Sequence, residues 1–268
     1  MGILDSLGNT AGNFVSSTLA RLTGAGLSKG ADGPLSRSGQ ARWSNKDTAK
    51  DWRVKLTLPS DSPFISGANS WFEQGPMTPL KDIGGMVFPL TPTILVQHQA
   101  HYNPLSQTHN NHPFYAYQNS EVQSFGVMGQ FPVQNWEDAR HWVATLHFLR
   151  TVTKMFFGND TSGFKGNPPP ILKLNGYGDH VLNNVPVVVT NFSVELTEGV
   201  DYISTSDVKT TGVAYDEPSQ GDSTSWAPSL SMFNVQCQPV YSRESLKNFS
   251  MQKFVRGELN GGDGIGFI

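Results

Sequence analysis

Four histidines crowd one short stretch: His98 and His101, then His109 and His112, each pair separated by two residues. Imidazoles at this density can hold Zn²⁺ or Ni²⁺, so a metal-binding or hydrolytic module is one reading of the stretch. Against it, no cysteine or acidic residue lies among the four. On a strand, positions three apart point to opposite faces. The second pair falls in a Pro-, Asn- and Ser-rich run where histidine is an ordinary polar residue. Asp179-His180 places an acid beside a base, but in a turn-rich loop, where solvation explains both side chains as well as proton transfer does. Glu137 and Asp138 stand at a helix start, where carboxylates favour the dipole. Cys237 is the only cysteine. It excludes a disulfide framework within the chain and reads as a small buried apolar residue. No G-x-S-x-G elbow and no phosphate-binding G-x-x-x-x-G-K-[ST] loop occurs. These residues assemble no catalytic or cofactor-binding constellation, and a structural or interaction protein is the leading reading.

Composition narrows the class further. The chain has 268 residues, 37% of them hydrophobic but only 15% charged, with a net charge of −3. Globular proteins average about 25% charged residues. Such a chain is either covered by partners over much of its surface or is a β protein with polar, uncharged loops. The balance of charge offers no basic face for a duplex. No run approaches the ~20 apolar residues of a membrane span. The first residues lack the basic flank and apolar core of a secretion signal, which points to a cytosolic environment.

The elements that position these residues are mostly strands. Trp52, Val54, Leu56 and Leu58 alternate with Arg53, Lys55 and Thr57, predicting a half-buried strand. Met86 to Phe88 and Thr93 to Tyr102 follow as strands, the second with Ile94, Val96, His98 and Ala100 facing one way and its start the most buried part. Asn103 to Tyr117 reads as a loop. Val122 to Phe131 returns to strand, with Gly126 and Gly129 marking a bulge or a close backbone approach. Asn135 is a good N-cap for a helix from Trp136 to Phe157, ended by Gly158-Asn159. Its apolar stripe runs through Ala139, Trp142, Val143, Leu146, Leu149, Val152, Met155 and Phe156 and must cover a sheet or another subunit. Pro168 to Pro170 stiffen the approach to a strand at Ile171 to Leu174. Asn175 to Asn184 is an exposed connecting loop, and Val187 to Leu196 a second strand. Val187, Val188 and Val189, apolar on both faces, predict a central strand covered on both sides. A short edge segment at Gly199 to Ile203 and a hairpin arm at Val208 to Tyr215 come next, then a loop at Pro218 to Pro228. Ser229 to Tyr241 is a last strand buried on the Phe233, Val235 and Cys237 side. Arg243 to Phe254 reads as helical.

Residues 1–50 form an N-terminal arm and linker. Leu4, Leu7, Phe14 and Leu22 roughly keep helical spacing, broken by Gly8, Gly12, Gly24 and Gly26. One short amphipathic helix, about Asn13 to Thr23, cannot bury its stripe alone. It should dock on the body or on a neighbouring subunit through Leu7, Phe14, Leu19 and Leu22. The body spans 51–258, and 259–268 is a flexible tail with a hydrophobic tip.

Between Tyr117 and Tyr202 the pieces Asn119-Ser120-Glu121, Met128-Gly129-Gln130-Phe131, ARHWVATLHFLRTVTKMFFG, GNPPPILKLNGYG and VPVVVTNFSVELTEGVDYI stand in order. This segment, about one third of the chain, resembles the tail-tube-like and baseplate proteins of contractile phage tails. The resemblance implies a β-dominated α+β fold of two packed antiparallel sheets with one flanking long helix. It implies a homo-oligomeric, hexameric ring whose strands join into an inner barrel. Neighbouring rings would be the baseplate hub and the tail tube, and tape measure protein and DNA would pass through the lumen. The size of the chain and its arm favour a tube initiator of the baseplate over a main tail tube or terminator protein. Tyr177, Asp179 and His180, in the exposed loop, would then be subunit contacts. The protein would be located in the virion and need no cofactor. Deletion of Met1 to Lys50 is expected to leave a body that unfolds cooperatively but assembles poorly. Thermal unfolding of the truncated chain tests this, and a lost cooperative transition would contradict it.

Overall fold

The structure is a computed structural model and describes residues 52–65, 69–158, 163–206, 225–260 and 265–268. The arm with Leu7, Phe14, Leu19 and Leu22, and the hairpin arm expected at Val208 to Tyr215, lie outside the described residues. The described chain is strand-dominated, with antiparallel sheets and a few helices.

Eleven described strands run in chain order: β1 Lys55–Thr57, β2 Gly85–Val87, β3 Thr93–Ile94, β4 His98–Leu105, β5 Phe114–Val122, β6 Phe125–Pro132, β7 Leu172–Gly176, β8 Leu182–Leu196, β9 Tyr202–Ser204, β10 Trp226–Pro228 and β11 Leu230–Pro239. Helix α1, Trp136–Val152, separates β6 from β7, and α2 (Arg243–Lys247) and α3 (Met251–Val255) follow β11. Seven strands form one antiparallel sheet in the order β2-β1-β7-β8-β11-β6-β3, while β9 with β10 and β4 with β5 make two-stranded ribbons. The expectation of two packed sheets is therefore modified. The core face of the large sheet packs against α1 and residues 64–88: Phe72 lies 6.4 Å from Phe148, and Phe88 lies 5.6 Å from Phe131.

Period-two patterning decides which face that is. In β11 Ser231, Phe233, Val235 and Cys237 are buried, and Met232, Asn234 and Gln236 are not. In β6 the buried positions are Phe125, Val127, Gly129 and Phe131. The two strands pair with Phe233 opposite Gly129 and Val235 opposite Val127, so the apolar sets share one face. Gly129 has a steric duty there. A Cβ on it would stand 2.4 Å from Cδ1 of Phe88, whose ring lies 5.6 Å from that of Phe131.

Helix α1 starts where the sequence places it. Asn135 Oδ1 accepts the Asp138 N–H at 2.8 Å, and Asp138 Oδ2 accepts the Gln134 N–H at 3.1 Å, a reciprocal cap. It ends at Val152 rather than at Phe157. Thr151 Oγ1 donates to His147 O at 2.8 Å and Thr153 Oγ1 to Leu149 O at 3.2 Å, and such back-bonding weakens the end of a helix. Phe156 turns instead into an aromatic cluster, 5.1 Å from Phe64 and 5.9 Å from Phe164, while Met155 and Phe157 stay exposed. The Trp142 Nε1–H donates to Ser231 Oγ at 2.7 Å, and the indole meets Phe233 edge-on at 5.9 Å.

Other expectations are corrected in place. The first strand shrinks to β1, with Trp52 exposed and Arg53 buried. Thr93 to Tyr102 breaks into β3 and β4; its start is the more buried part, with Ile94 and Val96 packed against the core although Leu95 is exposed. Asn103 to Tyr117 is mostly hairpin strand, because Tyr102 pairs with Tyr117 and Leu105 with Phe114. Trp226–Pro228, expected in a loop, pairs with β9. Arg243 to Phe254 is two short helices, because Ser250 is extended (φ −131, ψ 122) and starts α3 anew. Val187 and Val189 are buried on one face of β8, while on the other Pro186 is buried and Val188 only half-buried, so the cover of the second face ends there.

The tail does not hang free either. Gly266 N–H donates to Asn184 O at 2.9 Å, Phe267 stacks on Tyr241 at 4.7 Å, and Ile268 packs against the core. Replacing Gly129 by Ala is expected to cost about 1–3 kcal/mol, because the Phe88 ring is enclosed and cannot yield. Gly126→Ala, whose Cβ would meet only the amide end of Gln236 at 2.9 Å, should cost less than half of that. Urea midpoints of the two variants decide it, and equal losses would show that Phe88 is not the obstacle.

Candidate functional site

The structure spreads the four histidines along one hairpin instead of gathering them. His98 and His101 lie on β4, while His109 and His112 lie in the turn between β4 and β5. His101 Nε2 is 3.1 Å from Glu121 Oε1 across the ribbon, and His109 has a left-handed backbone (φ 62). Among the described residues no three His, Cys, Asp or Glu side chains converge to hold a metal. The four histidines therefore form no shared metal site among the described residues.

The hairpin itself is the first unusual surface. Almost every residue of β4 and β5 is exposed. Register places Tyr102 opposite Tyr117 and Pro104 opposite Tyr115 on one face. That face carries no charged residue, and Tyr102 and Tyr117 meet edge-on at 5.7 Å. The other face is polar near the sheet, with Gln99, His101, Asn119 and Glu121. An isolated two-stranded ribbon is marginally stable in water. One with an exposed tyrosine face gains stability from a partner.

The second surface is the face of the large sheet turned away from α1. Three cross-strand rows cover its long strands: Gly126, Gln236 and Asn191; Met128, Asn234 and Ser193; Gln130, Met232 and Glu195. Glu195 is the only charge among these nine. Lysines on this face belong to the far strands β1 and β7. There Lys173 is lowered below its usual value by burial, partly countered by Asp61.

The flanks of this sheet are open. Strand β7 pairs with β8 only as far as Val187. Residues 188–196 have β11 on one side and no strand on the other among the described residues. On the opposite flank β3 pairs with only Val127 and Met128 of β6. Proteins usually blunt such edges with lysine, proline or a covering element. Residues 189–196, VTNFSVEL, have neither lysine nor proline.

Tyr177, Asp179 and His180 sit in the turn between β7 and β8, exposed as expected, yet partly occupied from within. Tyr177 (φ 59) donates its hydroxyl to Pro92 O at 3.2 Å and its N–H to Trp52 O at 2.9 Å. The His180 carbonyl accepts from Asn260 Nδ2 at 3.5 Å, and Asn183 Nδ2 donates to Asn260 O at 3.0 Å. The C-terminal segment thus clamps the turn that sequence reasoning reserved for a neighbour. Sequence reasoning missed that clamp, the hairpin and the open flank. The alternation in β11 was the signal that exposed the polar face. The chain matches no protein-family model and no curated protein. Among the described residues no helix is long and apolar enough to cross a membrane.

Cys237 lies beneath this sheet, and burial pushes its thiol from about 9 up to about 12. It should therefore resist alkylation at pH 8 until the protein unfolds. Because the folded value exceeds the unfolded one, its contribution to stability is complete below about pH 9 and fades as pH rises toward 12. At about 1.4 kcal/mol per tenfold change in proton affinity, the loss builds to roughly 4 kcal/mol. Tyr241, also raised by burial against the opposing hydrogen bond from Ile268, acts in the same direction. Denaturant midpoints from pH 8 to 11 should fall, less steeply in Cys237→Ala. Ready alkylation of the folded protein at pH 8 would refute the burial argument.

Proposed function

We propose that this chain is a non-enzymatic virion protein: a tail-tube-like subunit that forms a ring in a phage baseplate, links the central hub to the tail tube and starts tube assembly. The observation that carries the reading is the pair of unlike flanks on one antiparallel sheet, residues 188–196 of β8 and the short edge strand β3, neither paired further among the described residues. A surface that joins its left flank to the right flank of a copy makes a heterologous contact, which gives a ring when the rotation closes. Strand direction is compatible: β8 and β6 run one way, β11 and β3 the other, so β3 of one copy meets β8 of the next antiparallel. Edge pairing also explains why 15% charge suffices, since the flanks are covered in the assembly. The resemblance of residues 117–202 to baseplate and tube proteins supplies the tail context, the hexameric state and the passage of tape measure protein and DNA. The same ring in the main tube or at the tail end is the second reading, because it uses identical flanks.

Negative-stain imaging and native mass spectrometry of the purified chain test the proposal. Closed rings, six copies each, are expected. A monomer that persists at tens of micromolar, or one that carries a stoichiometric metal ion, would overturn it. An initiator should abolish the lag when added to tube protein without growing long tubes alone; long tubes from this chain alone would favour the main-tube reading.

A further inference from the structure

We propose that the outer face of α1, with the turn that follows it, is a docking site for an acidic amphipathic helix of a partner protein. Nine of the 17 residues of α1 are buried. What remains outside falls on one line: Trp136, Arg140, Val143, His147 and Arg150, spaced four, three, four and three residues apart. Lys154 extends the line, because its N–H donates to Thr151 O at 3.0 Å and keeps the chain turning past the helix end. Beyond it Met155 is 52% and Phe157 81% exposed. Phe156 pairs with the returning chain. Its N–H donates to Asn167 O at 3.2 Å and its carbonyl accepts the Gly166 N–H at 2.9 Å, which sets Lys165 beside this turn.

Charge on this face is one-sided. From Arg140 to Lys173 the sequence holds five Lys or Arg and one acid, Asp160, in a chain of net charge −3. Arg140, Arg150, Lys154 and Lys165 have no ion-pair partner among the described residues. The helix dipole favours Arg150 near its C-terminal end but disfavours Arg140 in its first third. Arg140 is held instead by the Trp136 ring, 5.6 Å from its guanidinium carbon, and stacking leaves the N–H edge free for a carboxylate. The mixture of side chains selects the occupant. A duplex would meet three cations, Arg140, Arg150 and Lys154, spread over about 21 Å, too sparse for its phosphates, and would gain nothing from Met155 or Phe157. A helix with Glu or Asp along the edges of a Leu stripe matches both kinds of group. Its carboxylates reach the cations at helical spacing, and its apolar residues cover Val143, Met155 and Phe157. The face belongs to a single copy and does not depend on the ring.

Fluorescence polarisation with the full chain tests the site. The probe is a fluorescein-labelled helical peptide of Glu, Leu and Ala, with Glu flanking a Leu stripe at helical spacing. A version with Lys in place of Glu, poly-Glu and a short DNA duplex serve for comparison. The Glu peptide should bind, with affinity about tenfold lower in Arg150→Glu/Lys154→Glu and severalfold lower in Phe157→Ser. Its affinity should also fall as salt rises from about 50 to about 300 mM. The Lys version should bind the Arg150→Glu/Lys154→Glu chain better than the unmodified one. Arg150→Lys/Lys154→Arg should keep the affinity for the Glu peptide, and unchanged urea midpoints show that each variant is folded. Arg140→Gln, far from the helix end, gives a second measure of the same loss. No binding of the Glu peptide, equal binding by all variants, or equal binding of poly-Glu would overturn the proposal. Tighter binding of the duplex would overturn it in favour of a nucleic-acid face. Peptide binding that appears only in Asp216→Asn/Glu217→Gln/Asp222→Asn would show that the chain's own acidic run holds the face, and would overturn it as well.

Discussion

The contact of α1 with β11 is the constraint on which the rest of the structure depends. Trp142 reaches across to hydrogen-bond Ser231 and to pack against Phe233, which touches Phe131 at 4.4 Å, which in turn meets Phe88. This line of rings crosses from helix to the middle of the sheet and out toward its flank. It makes one face of the central strands obligatorily apolar. Because side chains alternate, a slip of one residue in β6 or β11 would place Phe125, Val127 and Phe131 in water. The register that results also dictates what the opposite face shows. The open polar wall is the complement of the sealed core, and neither can be altered alone.

How much of this was legible in the sequence follows from whether an element's partner is local. Strand β11 was readable because its own alternation encodes which side is buried, and α1 because Asn135 and Asp138 make its cap within four residues. The end of α1 was not, since the apolar stripe through Met155 and Phe157 continues past Val152 while the aromatic cluster that captures Phe156 comes from Phe64, Trp71 and Phe164, distant in sequence. The hairpin was half hidden for a similar reason. Asn103 and Pro104 have turn chemistry, but pairing with Ala116 and Tyr115 outweighs local preference. The clamp on the β7–β8 turn depends on Gly266, where any Cβ would fall 1.8 Å from Asn183 O, and nothing in a glycine-rich end announces such a contact. Histidine spacing was legible in the other direction, because positions three apart on a strand point to opposite faces, and His98 and His101 lie on one strand.

The functional surfaces share a physical origin in what α1 leaves uncovered. The helix is 17 residues long, and the ribbon and the end of β8 lie beyond its cover. Beyond it the strands run on as the β4–β5 ribbon at one end and as the last residues of β8 at the other. Both carry apolar side chains with nothing of their own to rest against: Tyr102, Tyr115 and Tyr117 on the ribbon, Leu196 on β8. In a monomer these extensions cost stability through exposed apolar area, roughly 25 cal/mol per Å².

The bulge between β8 and β11 shows how one chain can combine a closed half with an open half. Gln236 pairs with Asn191 and Cys237 with Val189, so Thr190 is the extra residue, and its hydroxyl bonds Gln236 O at 3.3 Å. At Val187 β8 is held on both sides, by β7 and β11; from Val188, just before the bulge, it has β11 alone among the described strands. A bulge adds right-handed twist and bends its strand. Here it falls just past the place where β7 stops, so residues 191–196 are turned out of line with β7 and β1. The register shift thereby separates the part of the sheet paired on both sides from the part of β8 whose outer flank stays open among the described residues.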